Sequence, residues 1–139
     1  MQNLAYKTIA TDNKARAGEF VVNNKIVKTP TFMPVATRGS VKGMTMEALS
    51  QMNPDVILCN TYHLISRPGT DVITMQGGIH KYINWNKVIL TDSGGFQGWS
   101  LAAKRMSEGL LIKSSYDGSE LLLTPELSTV AQIELGSDI

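Results

Sequence analysis

Asp92, Ser93, Gly94, Gly95 and Phe96 follow one another at the end of the segment VILTDSGGFQG, residues 88–98, and their types are those that could hold a flat polar ligand. Val88-Ile89-Leu90 reads as a strand buried on both faces, and a carboxylate at its far end has little structural reason to be there. Successive glycines remove side chains where a planar group could lie against the backbone. Asp92 could give or take a proton, the glycine amides could donate hydrogen bonds, and Phe96 could supply a stacking face. Nucleobases taken out of a helix are held by that combination of edge hydrogen bonds and aromatic stacking. The plainer alternative is a tight turn capped by Asp92.

Asn60 occupies the matching place after the apolar run VILC. In a parallel α/β sheet, function gathers at the carboxyl ends of strands, so Asn60 and Asp92 are paired candidates. Asp55, at the opposite end of its strand, reads as a stabilising residue. Other chemistries fit less well. DSGGFQG has neither the G-x-G-x-x-G spacing nor a Gly-Lys-Ser/Thr ending of a phosphate loop. Ser93 lacks the G-x-S-x-G setting of a hydrolase nucleophile and has no histidine near it in sequence. With one Cys and two His in the chain, Cys59, His63 and His80 cannot assemble a four-ligand thiol and imidazole zinc site. Cys59 and His63 are expected in packing or a hydrogen bond, His80 in solvent, and Trp85 and Trp99 in the core or a pocket wall.

The elements that must carry these residues follow from pattern and punctuation. GEFVVNNKIVKTP predicts a hairpin turning at Asn23-Asn24, because asparagine tolerates the positive φ of tight turns. TFMPVAT reads as a strand interrupted by Pro34, and SVKGMTMEALSQMN as a loop and then a helix capped by Thr45, with Met46, Leu49 and Met52 on its buried face. PDVILCN is a strand, TYHLISRPGT a structured connection, and DVITMQGGIHKYIN a short helix ended near its glycines. WNKVILTDSGG is the next strand, EGLLIKSSYDGSELLLT a second hairpin turning at Asp117-Gly118, and TPELSTVAQIELG a helix with Thr124, Pro125 and Gly136 as its terminal signals. Ser137-Asp138-Ile139 reads as the start of another strand.

Buried strands alternating with helices predict a parallel sheet. Such a sheet should not halt at the first residues of a strand. The 139 residues are therefore expected to be roughly the first half of a (β/α)₈ barrel, a fold that typically takes ~250 residues. The opening hairpin would plug its bottom and the second hairpin would be an insertion; a small doubly wound sheet is the rival.

Composition bounds the rest. An apolar fraction of 42%, a charged fraction of 18% and a net charge of +1 describe a globular chain with no overall bias towards a polyanion. Arg16, Lys25, Lys28, Arg38 and Lys42 give the first third a basic tilt that reads as solvated surface. The lone Cys59 excludes an internal disulfide. No leader pattern opens the chain and no apolar run approaches the ~20 residues of a membrane helix, so a cytoplasmic, membrane-free protein is expected.

Taken together, TPTFMPVATRGSVKGMT, NTYHLISRPG, WNKVILTDSGGFQ and YDGSELLLTPELSTVAQIELGSDI resemble the amino-terminal half of the tRNA-guanine transglycosylases, the queuine tRNA-ribosyltransferases. The resemblance implies a (β/α)₈ barrel carrying a zinc-binding insertion, of which residues 1–139 are a partial domain. It implies replacement of guanine at the wobble position of G-U-N anticodon tRNAs by queuine or a 7-deazaguanine precursor, through a covalent tRNA–enzyme intermediate. The chemistry parallels retaining glycosidases, in which one carboxylate is the nucleophile and a second carboxyl group moves protons.

Matched by motif, Asp92 becomes the proton-transfer residue. Asp92, Ser93, Gly94, Gly95 and Phe96 form the base-binding loop, with Phe96 stacked on the purine and Asn60 beside the ribose. The family's nucleophilic aspartate, its zinc ligands and its main tRNA-binding surface are implied to lie beyond Ile139. tRNA, the free base and a second subunit, identical or accessory, are the implied partners. Gly98-Trp99 stand where relatives usually carry larger apolar residues, so a different pocket floor is expected. The alternative is a truncated or non-catalytic homologue that pairs with an active subunit. An isolated half barrel would expose sheet edges and is expected to be poorly soluble or dimeric.

Overall fold

In the structure, a computed structural model, residues 5–101, 103–114 and 117–139 are described. The chain opens with an antiparallel meander of β1 (Lys7–Asp12), β2 (Ala15–Val22) and β3 (Lys25–Thr29). Asn13, Asn23 and Asn24 make its turns with φ of 53°, 48° and 61°, the left-handed backbone that asparagine adopts more readily than most residues. The hairpin expected at Asn23-Asn24 is therefore β2–β3. β1 is an addition, and all six of its residues are exposed, so no buried stripe marked it in the sequence.

Two parallel strands, β4 (Val56–Asn60) and β5 (Val88–Asp92), form the centre, paired from Val56↔Val88 to Asn60↔Asp92. Residues 34–37 line the other side of β4: Ala36 N donates to Leu58 O at 2.7 Å, Leu58 N to Pro34 O at 3.0 Å and Asn60 N to Thr37 O at 3.1 Å. Asp138 and Ile139 line the free side of β5, with Asp138 N donating to Ile89 O at 2.9 Å and Thr91 N to Ile139 O at 2.8 Å. Four extended segments thus lie side by side in chain order.

Between these segments run α1 (Met46–Met52), α2 (Thr61–Ser66), α3 (Thr70–Met75), α4 (Ile79–Tyr82), α5 (Gly95–Ser100) and α6 (Pro125–Leu135). Another antiparallel sheet, β6 (Lys104–Arg105), β7 (Leu110–Lys113) and β8 (Glu120–Leu123), stands between α5 and α6. The expected caps are in place, with Thr45 Oγ1 accepting from Ala48 N at 3.2 Å and Thr124 Oγ1 from Leu127 N at 3.1 Å. α2, α4 and α5 exceed the sequence reading. α2 starts where Asn60 caps it, accepting from His63 N at 3.0 Å. α4 restarts the chain after Gly78, whose φ is 90°. Met52, expected on the buried face of α1, is instead 60% exposed and lines a surface cleft together with Phe32 and Pro34.

Side chains alternate across a strand, and here the two faces divide the labour. Ile57, Cys59 and Ile89 point to the helices and join Leu49, Leu64, Ile73, Ile79, Trp85 and Leu135 in the main core. Val56 and Val88, on the opposite face, are covered by Val22 and Val27 of the meander. That face then runs through the half-buried Leu58 and Leu90 to Asn60 and Asp92. The meander closes one end of it and the polar pair stands at the other.

Candidate active site

The register that sets Asn60 opposite Asp92 brings the two strand-end candidates into contact. Asn60 Nδ2 donates to Asp92 Oδ2 at 2.7 Å and to Gln97 Oε1 at 2.9 Å, while its Oδ1 accepts from His63 N. Both amide protons and the carbonyl of Asn60 are thereby engaged, and the orientation of its side chain is fixed. Asp92 Oδ1 accepts from Gly94 N at 2.9 Å and Thr61 N at 3.3 Å. The hydroxyl of Thr61 donates to the backbone carbonyl of Asp92. Asp92 is half-buried, and among the described residues no cation forms an ion pair with it. Its carboxylate is held by neutral donors and leaves lone-pair capacity for a ligand or a proton.

Gly94 shapes the DSGG turn more than Gly95 does. Gly94 has a φ of 73°, and a Cβ there would lie 2.9 Å from Tyr62 Cβ and 3.0 Å from Tyr62 N. The space beside Gly94 is filled by Tyr62 and Leu123, so this residue serves the turn and leaves no room for a ligand. Gly95 is the exposed one, its nearest contact being Ser93 Oγ at 3.3 Å from a built Cβ. Gly94→Ala is expected to destabilise the full-length protein by about 2–4 kcal/mol, from left-handed strain and overpacking on Tyr62. Gly95→Ala should change little, and urea midpoints of the two variants check the contrast.

Phe96 and Trp99 are 66% and 74% exposed and face each other, their ring centroids 5.7 Å apart. Trp99 is therefore outside the core, unlike Trp85, which is 4% exposed. Gly98 is buried, and the Leu110 side chain occupies the space a larger residue would need. A cleft of about 370 Å³ lies on the α6 side of the loop, lined by Ser93, Gly95, Leu110, Leu123, Ser128 and Gln132. Asp92 does not line it.

Gln97 was missed by sequence reasoning, although it lies five residues after Asp92 in the quoted motif. Its part in the Asn60 contact depends on α5, which the glycines concealed. Cys59 is fully buried, and burial, offset in part by the Gly39 backbone and reinforced by Asp92, pushes its thiol up to about 12. It is inert packing. Burial and then the charge of Arg38 hold His63 below its ordinary value, so its ring is neutral near pH 7. His80, expected in solvent, instead has Nδ1 2.8 Å from Trp85 O and Nε2 3.0 Å from Asp138 Oδ2. Asp55 takes the stabilising place expected of it, accepting from Lys28 N at 3.2 Å and pairing with Lys87 at 3.4 Å. Asp117 caps its own turn, with Ser119 first and Ser114 next holding its carboxyl at about 2. Among the described residues no three His, Cys, Asp or Glu side chains converge to hold a metal ion, and no helix is long and apolar enough to cross a membrane.

The family model for queuine tRNA-ribosyltransferase matches residues 11–139. A queuine tRNA-ribosyltransferase of Psychrobacter sp. (strain PRwf-1) is 50% identical over 141 aligned positions, covering 100% of this chain and 37% of the relative. Those of Thioalkalivibrio sulfidiphilus and Pseudoalteromonas translucida are 50% and 46% identical, each covering 98% of this chain and 37% of the relative. The chain thus spans 37% of the length of these relatives. With the family model running through the Asn60–Asp92 pair to the last residue, the chain belongs to the queuine tRNA-ribosyltransferase family.

Proposed function

We propose that these residues form the base-binding and proton-transfer part of a tRNA-guanine transglycosylase. In this reading the whole enzyme exchanges guanine at the wobble position of G-U-N anticodon tRNAs for queuine or a 7-deazaguanine precursor. A carboxylate beyond Ile139 attacks C1′ of the ribose, the bond from C1′ to the guanine nitrogen breaks, and Asp92 delivers a proton to the departing base. The incoming base then gives its proton to Asp92 as its nitrogen displaces the carboxylate from C1′. The observation that carries the reading is the held but unpaired carboxylate of Asp92, at the strand end beside an exposed aromatic ring. A pure partner subunit would have no chemical use for that cradle.

The order of the extended segments supports the barrel form of the fold. Residues 34–37, β4, β5 and 138–139 are neighbours in chain order with no reversal, as in a (β/α)₈ barrel and unlike a doubly wound sheet, which changes direction at a switch point. The meander on Val56 and Val88 then plugs the amino-terminal end, and the open polar end is where barrel enzymes work. Zinc, in this reading, is held by residues beyond Ile139. tRNA, the free base and a second subunit, identical or accessory, complete the cytoplasmic assembly.

The test is incorporation of labelled guanine into a G-U-N anticodon tRNA by the full-length protein, with a tRNA lacking that guanine as control. No incorporation above control sinks the reading. Within the same assay, Phe96→Ala should raise the KM for guanine about tenfold, since stacking a base on an aromatic ring is worth roughly 1–3 kcal/mol. Phe96→Tyr keeps the ring and should stay near wild type. An unchanged KM in the alanine variant removes Phe96 from the base site.

A further inference from the structure

Behind β5 a run of polar side chains crosses from α6 to the DSGG turn. Ser128 Oγ, on a residue 6% exposed, donates to the backbone carbonyl of Ser93 at 2.8 Å. Gln132, one turn further along α6, directs Nε2 at Ser128 O and Ser128 Oγ, at 3.1 and 3.3 Å. Its Oε1 accepts from Thr91 Oγ1 at 3.1 Å, and Thr91 Oγ1 lies 2.8 Å from Ser137 Oγ. Ser128 gives its single hydroxyl proton to the Ser93 carbonyl and accepts from Gln132, whose amide is held between Ser128 and Thr91. Thr91 Oγ1 also has Ile139 O at 3.4 Å and Ser137 Oγ has Gln132 O at 3.4 Å, so either of these two hydroxyls can donate to the other.

The last link reaches Asp92 through a single rigid unit. The carbonyl of Ser93 and the N–H of Gly94 belong to the same planar peptide group. One end of that group is held by Ser128, and the other donates to Asp92 Oδ1 at 2.9 Å. Rotating this peptide needs little backbone energy of its own, because Gly94 is free to take either sign of φ. Rotation would turn a carbonyl oxygen towards the carboxylate in place of a donor. We infer that Ser128 is a positioning residue for Asp92: its hydroxyl fixes the Ser93–Gly94 peptide, and Gln132 aims that hydroxyl. The inference rests on the transglycosylase reading, since it concerns how the proton-transfer carboxylate is held.

Ser128→Ala in the full-length enzyme is the test, because alanine keeps α6 helical and removes only the hydroxyl. The kcat for guanine exchange should fall about tenfold, the effect of losing one oriented hydrogen bond, with the KM for tRNA unchanged. Ser128→Thr, which retains Oγ, should recover most of the rate, and Gln132→Leu should show a smaller loss than Ser128→Ala. A second readout needs no turnover. Carbonyl-13C serine with 15N glycine labels the Ser-Gly peptide, which occurs once in these 139 residues, and its amide signal should move in Ser128→Ala and return in Ser128→Thr. Wild-type kcat in Ser128→Ala overturns the inference, as does a rate loss that follows the fraction of folded protein with the Gly94 signal unmoved. A wild-type enzyme without exchange activity would instead overturn the transglycosylase reading, while the Gly94 signal would still report whether Ser128 holds the peptide.

Discussion

Asp92→Asn in the full-length protein is expected to lower guanine exchange by about 10²–10⁴-fold, the usual worth of a positioned proton-transfer group, while tRNA still binds. The argument is geometric. An amide in this place can keep its oxygen on the N–H groups of Gly94 and Thr61, which hold Asp92 Oδ1 at 2.9 and 3.3 Å. Its NH₂ would then face the NH₂ of Asn60, which now donates to Asp92 Oδ2 at 2.7 Å. Asn60 cannot turn over to relieve this, because its Oδ1 caps α2 on His63 N. One donor pair is therefore left facing another, a local cost of about 1–3 kcal/mol in stability. That cost does not remove the fold, so binding and melting measured beside exchange separate the loss of a proton carrier from the loss of structure. Exchange at the wild-type rate would take the proton-transfer role away from Asp92.

The parts of this site legible in the sequence are those encoded by neighbours along the chain. Val88-Ile89-Leu90 announced a strand, Asp92 its carboxyl end, and Thr124-Pro125 the start of a helix; each lies where it was expected. The Asn60–Asp92 contact could be expected only as a shared strand end, because register is a property of two strands. Gln97, Ser128 and Gln132 carried no local signal at all. Each is a polar residue on a helix face, and such residues are usually solvated. Only the packing of α5 and α6 against the turn gives them partners. The misjudged residues have the same origin. His80 looked solvated because its partners come from positions 85 and 138, and Trp99, expected in the core or a pocket wall, is kept out of the core by α5.

The opposite end of β5 yields the other large effect, on stability. Asp138 has a side chain only 3% exposed, and it gathers Asn23 Nδ2 at 2.8 Å, Lys25 Nζ at 3.0 Å, His80 Nε2 at 3.0 Å and Ile89 N at 2.9 Å. These partners come from the meander, α4 and β5, so one carboxylate fastens three elements to the segment after α6. Asp138→Ala takes the counter-charge from Lys25, which keeps the Lys87 carbonyl at 3.2 Å, leaves the Ile89 amide without its acceptor, and should destabilise the full-length protein by roughly 3 kcal/mol. The lower part of the usual range applies because Lys25 is 28% exposed.

Acid should produce the same loss in the unaltered protein. Burial pushes the Asp138 carboxyl up, but Asn23, the Ile89 amide, Lys25 and His80 together outweigh it and hold the group below its ordinary value. A carboxyl depressed in the folded state contributes stability in full above its unfolded pKa, about 4, and loses it as pH falls through the folded value. Urea midpoints of wild type should therefore drop below about pH 4 more steeply than those of Asp138→Ala. Parallel curves would mean that this carboxyl titrates alike in both states and fastens nothing. In the variant, kcat per folded molecule should stay at the wild-type level. Val88 and Asp92 are opposite ends of one strand, so the stabilising charge near the first is kept apart from the carboxylate to which the proposed proton transfer is assigned at the second.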